Sequence, residues 1–153
     1  PHISVCVATY NGAEFVAEQL LSILDQLSPE DEVIVIDDAS SDQTVATVRA
    51  LGDPRLRVIV LDRNVGYVRA FERAIGEARG EVVFLSDQDD RWLPDRVRDM
   101  THALKEAALV VSNFSVFGGT ATFVQSRRLR ARDSRRHLRN LLWIWVGLRP
   151  YYG

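Results

Sequence analysis

The sequence predicts an α/β domain built on a mostly parallel sheet. Short apolar runs rich in β-branched residues recur along the first two-thirds of the chain. Between them the apolar spacing changes to a helical period. Nearly every run stops at a cluster of Gly, Pro, Asn, Asp or Ser. Strands and helices therefore alternate at short intervals, the pattern of right-handed strand–helix–strand crossovers. No internal repeat or low-complexity tract interrupts it.

Ile3 to Ala8 is apolar enough for a strand buried on both faces. Thr9-Tyr10-Asn11-Gly12 breaks it with turn residues. From Ala13, Phe15, Val16, Leu20, Ile23, Leu24 and Leu27 recur at helical spacing, and Ser28-Pro29-Glu30-Asp31 ends that helix. Val33 to Ile36 is a second strand, closed by Asp37-Asp38-Ala39-Ser40-Ser41-Asp42. Ser41 or Asp42 can cap a helix over Gln43 to Leu51. Val58 to Leu61 is a third strand. After the Asn64-Val65-Gly66 loop a helix runs from Tyr67 to Ala78, with Val68, Phe71 and Ile75 expected on its inward face. A fourth strand begins at Val82. Leu93-Pro94 opens another helix, with Pro94 in the first turn, where a missing N–H matters least. Leu109 to Phe117 reads as a fifth strand, and Thr120 to Val124 as a hairpin arm.

The fourth strand carries the strongest chemical signal. Its apolar run ends in Ser86-Asp87-Gln88-Asp89-Asp90-Arg91-Trp92, three acids in four positions. Carboxylates this close repel one another and hold their protons more tightly unless a cation sits between them. Their oxygens are the ligands that Mg²⁺ or Mn²⁺ prefer. An acidic turn capping the next helix is the other reading of the same residues.

The composition bounds the remaining possibilities. A chain of 153 residues, 46% hydrophobic and 26% charged, has the make-up of a soluble globular domain. A net charge of −2 gives no global field toward nucleic acid or an anionic membrane. No apolar stretch approaches the ~20 residues that span a bilayer, and the expected location is cytoplasmic. The single cysteine, Cys6, lies in an apolar run and reads as a small buried hydrophobe. The character changes late: seven arginines and one acid lie between Arg127 and Arg139, followed by a Leu- and Trp-rich patch. Two segments are therefore expected, a core over 1–125 and a basic, then apolar, segment over 126–153. The second segment suits self-association or peripheral contact with the inner face of the cell membrane. The first residue is Pro, and the chain reads as part of a larger protein.

Three loops follow strand C-termini, which share one edge in a parallel sheet. They hold Thr9-Tyr10-Asn11, Asp37-Asp38 and Asp87 to Asp90. Carboxylates can accept from a base or ribose, Tyr10 can pack on a base, and a cation on the acids can neutralise a diphosphate. No phosphate loop and no Gly-x-Gly-x-x-Gly follows any strand.

These residues, in this order, resemble the family 2 glycosyltransferases, whose domain is the GT-A fold, a Rossmann-like three-layer sandwich. The matching stretches are Val7-Ala8-Thr9-Tyr10-Asn11-Gly12, Val35-Ile36-Asp37-Asp38-Ala39-Ser40-Ser41-Asp42, Asn64-Val65-Gly66 and Leu85-Ser86-Asp87-Gln88-Asp89-Asp90-Arg91-Trp92-Leu93-Pro94. The Phe71-Glu72-Arg73-Ala74-Ile75 helix looks like the rhamnosyltransferase-containing branch.

The resemblance implies a nucleoside diphosphate sugar as donor and a saccharide or lipid-linked acceptor, with transfer by inversion. It implies that Ala8, Thr9, Tyr10, Asn11 and Glu14 line the nucleotide site, and that Asp38 contacts the base while Asp37 supports the loop. Asp87-Gln88-Asp89 stands at the family's Asp-x-Asp motif, with Asp87 and Gln88 near the nucleotide and Asp89, with Asp87, on Mg²⁺ or Mn²⁺. The family's catalytic base sits in a later acidic motif. Beyond Asn113 the only acid is Asp133, so the base is expected beyond Gly153, in a chain truncated C-terminally, and this chain is expected to be weak or inactive in transfer.

Three other classes stay open on the sequence: a nucleotidyltransferase on a similar sheet, a metal-dependent binding or regulatory module, and nucleic-acid binding through the arginines. The first lacks a Gly-rich basic loop after the first strand, and Lys105, the only lysine, is misplaced for a receiver-like module. The acidic first two-thirds oppose the third class.

Overall fold

The computed structural model describes residues 1–112. The expected hairpin arm, the basic and apolar segment and the 125/126 boundary lie outside the described residues. The chain divides into two compact units, Pro1–Val97 and Arg98–Gly153.

The first unit holds four strands, β1 (Ile3–Thr9), β2 (Glu32–Asp37), β3 (Leu56–Val60) and β4 (Val82–Asp87), with helices α1 (Val16–Leu24), α2 (Thr44–Ala50) and α3 (Tyr67–Glu77) between them. All pairings are parallel, in the order β3-β2-β1-β4. β1 and β2 are central and covered on both faces, which is why their sequences run apolar without alternation. β4 borders the described sheet and alternates buried with exposed. A further helix, α4 (Arg96–Ala103), begins at the end of this unit. Residues 109–112 of the expected fifth strand have no regular structure, and the rest of it lies outside the described residues.

Alternation along the strands builds three layers. Cys6, Ile34 and Ile36 pack with Ala70 and Ala74 of α3 on one face. Val5, Val7, Val33 and Val35 point to the other, where α1 buries Val16, Leu20, Ile23 and Leu24. The expectation for α3 needs correction: Val68 and Ile75 are 49% and 47% exposed, and the inward face is Ala70 and Ala74, with Phe71 beside them. Small side chains let the helix axis approach the strands, so the large ones flank the contact. Gly80 works similarly. A Cβ there would lie 2.6 Å from the Ser4 nitrogen and 2.7 Å from the His2 oxygen. Among the described residues no helix is long and apolar enough to cross a membrane.

Candidate functional site

The register brings the strand ends together. Thr9 pairs with Asp37, and Ala8 pairs with Asp87. Successive strands step outward from β1 to β3, and the chain then returns to place β4 on the opposite side of β1. Strand order reverses at β1 and β4, the position where open α/β sheets bind ligands beyond the carboxyl ends.

Hydrogen bonds join the loops into one rim. After β1, the N–H groups of Asn11, Gly12 and Ala13 donate to Ser40 Oγ, Thr44 Oγ1 and Asp42 Oδ2, on the β2–α2 connection and the first residue of α2. Asn11 Oδ1 accepts the Ser41 N–H in return. Asp42 also accepts from both the backbone and the hydroxyl of Thr44, so it forms a turn at the start of α2, and Gln43 occupies the cap position. These bonds hold two non-glycine residues in left-handed backbone, Asn11 at φ 49° and Ala39 at φ 63°. Such geometry is unfavourable for Ala by about 1 kcal/mol and persists because its surroundings over-determine it.

The paired acids at the end of β2 tie into this web. Asp37 accepts from the Thr9 hydroxyl at 3.0 Å and from the Ser40 N–H at 2.9 Å. Asp38 is buried, and its two oxygens accept the N–H groups of Val65 and Gly66 at 2.7 and 2.8 Å. The rim thus extends from the β1 loop through the β2 loop to the loop before α3.

The acidic loop is anchored from beneath. The Ser86 hydroxyl accepts from Gln19 Nε2 of α1 and from Trp92 Nε1, both at 2.9 Å. The Trp92 N–H donates to Ser22 Oγ, and its ring sits 5.4 Å from Phe84. The Arg96 guanidinium lies 5.0 Å over the same ring. On this base the acids crowd. Partial desolvation in the crowded loop, then the charges of Asp90 and Asp89, push the Asp87 carboxyl above the ordinary carboxylate range, although the residue still reaches solvent. Burial and Asp89 push Asp90 up as well, and Arg96 offsets part of that. Among the described residues no three His, Cys, Asp or Glu side chains form a ready metal cage. Mg²⁺ and Mn²⁺ sites in nucleotide enzymes are commonly completed by one or two carboxylates with substrate phosphates, and this donor set fits that arrangement.

The nucleotide- and metal-site candidates named from the sequence fall at the ends of β1, β2 and β4 or on the loops that follow them. Ala8 is half-buried, Thr9 buried, Tyr10, Asn11 and Glu14 exposed. Gln88 faces Tyr10, with its Oε1 2.8 Å from the Tyr10 nitrogen. Asp87 and Asp89 reach solvent at the tip of β4. The supports that sequence reasoning did not single out are Gln19, Ser86 and Thr44. Gln19, a polar residue among the helically spaced apolar positions of α1, was the one available signal.

The family model for glycosyl transferase family 2 matches residues 4–150. Over 118 residues the chain is 41% identical to the succinoglycan biosynthesis protein ExoO of Rhizobium meliloti, covering 76% of this chain and 34% of that protein. It is 31% identical over 114 residues to the putative teichuronic acid biosynthesis glycosyltransferase TuaG of Bacillus subtilis, covering 73% and 45%. Among solved structures, S. aureus TarS 1-349 in complex with UDP-GlcNAc matches with a TM-score of 0.70 at 30% identity, over 80% of this chain and 37% of that one. The mannosyltransferase PcManGT from Pyrobaculum calidifontis, in complex with GDP-Man and Mn2+, matches with a TM-score of 0.66 at 31% identity, over 70% and 33%. The chain therefore spans between a third and a half of the length of these curated relatives.

Proposed function

The chain belongs to glycosyl transferase family 2, and from that membership we propose that its rim binds a nucleoside diphosphate sugar and a divalent cation for sugar transfer to an acceptor hydroxyl, with inversion. One observation carries the reading: the loops after β1, β2 and β4 meet on a single edge at the point where strand order reverses. The loop 8–11, with Glu14, lines the nucleotide side. Tyr10, 48% exposed, offers its ring to the base. Asp38 shapes the base site through the loop it ties. Each of its oxygens keeps lone-pair capacity for a base N–H beside the bond it already accepts.

Asp89, with Asp87, would hold Mg²⁺ or Mn²⁺ against the diphosphate. Bound there, the cation supplies neutralisation of the charge that develops on the leaving group. The upward shift at Asp87 comes from desolvation first and from the charges of Asp90 and Asp89 second, and a cation would relieve the second part. Inverting transfer further requires a carboxylate base for the acceptor hydroxyl, and the proposal puts it outside the described residues. Relatives named for succinoglycan and teichuronic acid biosynthesis support a role in polysaccharide synthesis; a saccharide or lipid-linked acceptor and action at the cytoplasmic side of the membrane are part of the proposal.

The test is titration of UDP, GDP and dTDP into the folded chain, with and without Mn²⁺. One diphosphate should bind about tenfold tighter with the ion, and Asp89→Ala should remove that difference. Failure of all three to bind would leave a regulatory module as the better account.

A further inference from the structure

One side chain spans the two loops at the strand-order reversal. Gln88 Oε1 accepts the Tyr10 N–H at 2.8 Å, and Gln88 Nε2 donates to the Tyr10 carbonyl at 3.2 Å. The residues are 78 apart in sequence, and the paired bonds imitate one rung of an antiparallel ladder. The room for this amide comes from Gly12, which is buried. A Cβ there would stand 2.2 Å from Gln88 Oε1 and 2.5 Å from its Cδ. Gln88 lies between Asp87 and Asp89, so its backbone moves with the acids on either side. Tyr10 begins the loop that Asn11, Gly12 and Ala13 bind to the β2 side.

We propose that Gln88 is a positioning residue that couples cation binding at Asp87 and Asp89 to nucleotide binding on the Tyr10 loop. The inference rests on the donor-binding reading above and adds a named coupling element to it. When a cation fixes the acidic loop, the amide fixes the backbone of Tyr10, and the nucleotide then meets a loop already ordered. Linkage makes the effect reciprocal: the nucleotide tightens the cation by the same factor.

The experiment measures binding of UDP, GDP and dTDP with and without Mn²⁺ to the wild-type chain, Gln88→Ala and Gly12→Ala. The readout is the ratio of the Kd without the ion to the Kd with it. General damage weakens both constants and leaves the ratio alone. Either substitution should lower the ratio at least about fivefold, the low end of ordinary coupling. A ratio in Gln88→Ala equal to that of the wild type overturns the proposal. So does a wild-type chain that binds a diphosphate equally with and without the ion, although the nucleotide reading would then survive. No binding by the wild type removes the functional reading and the coupling with it. A second arm uses Mg²⁺ alone and the backbone amide resonances. In the wild type the ion should shift Tyr10 together with Asp89 and Asp90. In Gln88→Ala it should still shift Asp89 and Asp90 but leave Tyr10 in place. A Tyr10 shift undiminished in Gln88→Ala counts against the coupling.

Discussion

Asp38 Oδ2 accepts the Gly66 N–H at 2.8 Å, while Oδ1 takes the neighbouring Val65 N–H at 2.7 Å. A carboxylate 3% exposed therefore holds a loop 28 residues away. Gly66 adopts φ 86°, in left-handed territory that glycine enters without strain, and α3 starts at the next residue. Asp38→Asn retains one acceptor and turns an NH₂ donor toward the other N–H. We predict a loss of about 1–3 kcal/mol in urea unfolding without nucleotide. A residue serving only as a base contact would leave nucleotide-free stability unchanged.

Gly80 gives a sharper prediction. The obstacles around a Cβ at this position are backbone atoms of His2, Ile3 and Ser4, which have no rotamer to change. Its own N–H donates to Ser4 Oγ at 2.8 Å. Gly80→Ala must push β1 and the start of β4 apart, at about 2–4 kcal/mol. Gly76→Ala is the control, because nothing lies within 4 Å of a Cβ there and helix propensity favours Ala. Equal stabilities for the two variants would contradict the packing described.

How far the sequence reveals this molecule depends on how local each signal is. β1 and β2 are legible because burial on both faces demands unbroken apolar runs, and the strand ends are legible because polar residues begin there abruptly. The inward face of α3 is not, since Ala70 and Ala74 carry almost no hydrophobic signal while the larger Val68 and Ile75 do. The rim loops can be located from their turn residues, whereas the ties between them cannot. Gly12 to Thr44 spans 32 residues and Gln19 to Ser86 spans 67, and neither partner marks the other in the chain. Asp38 shows the same limit: its acidity points to a ligand, but its geometry adds a loop to hold.

Trp92 tests the support beneath the acids. Its indole N–H reaches Ser86 Oγ while its ring packs on Phe84. Trp92→Phe keeps most of the apolar contact and removes the donor. The expected loss is about 1 kcal/mol, with weaker Mn²⁺ binding because the acidic loop follows Ser86 directly. Unchanged stability together with unchanged Mn²⁺ affinity would show that the hydrogen bond positions nothing.

Cys6 should be inert. Burial, and then the charge of Glu32, push its thiol up to about 11 from 9.0. At pH 8 the thiolate fraction then falls from about a tenth to about a thousandth. Iodoacetamide should label the folded chain at least about a hundredfold slower than the urea-unfolded chain. The sign for stability follows: a raised value favours the folded state below 9.0, and the benefit is lost as pH rises through about 11. Rapid labelling of the folded chain at pH 8 would place Cys6 outside the core.

The acidic loop sets the last prediction. Asp87 and Asp90 both hold their protons above the ordinary value of 3.8, through burial first and their neighbours' charges second. The native chain then binds more protons than the unfolded chain as pH rises past 3.8, so metal-free stability falls across that window and is fully present only below it. Arg96 opposes this at Asp90, but the net shift there is still upward. Asp90→Asn removes one of the three repelling charges. It should raise the urea midpoint of the metal-free chain at pH 7 and have little effect at pH 3, where the carboxyls are protonated in both states. Mg²⁺ should stabilise the wild type more than the variant at pH 7, because the ion and the substitution relieve the same repulsion. A variant less stable than the wild type at pH 7 would mean that the attraction between Asp90 and Arg96 outweighs the crowding of the acids.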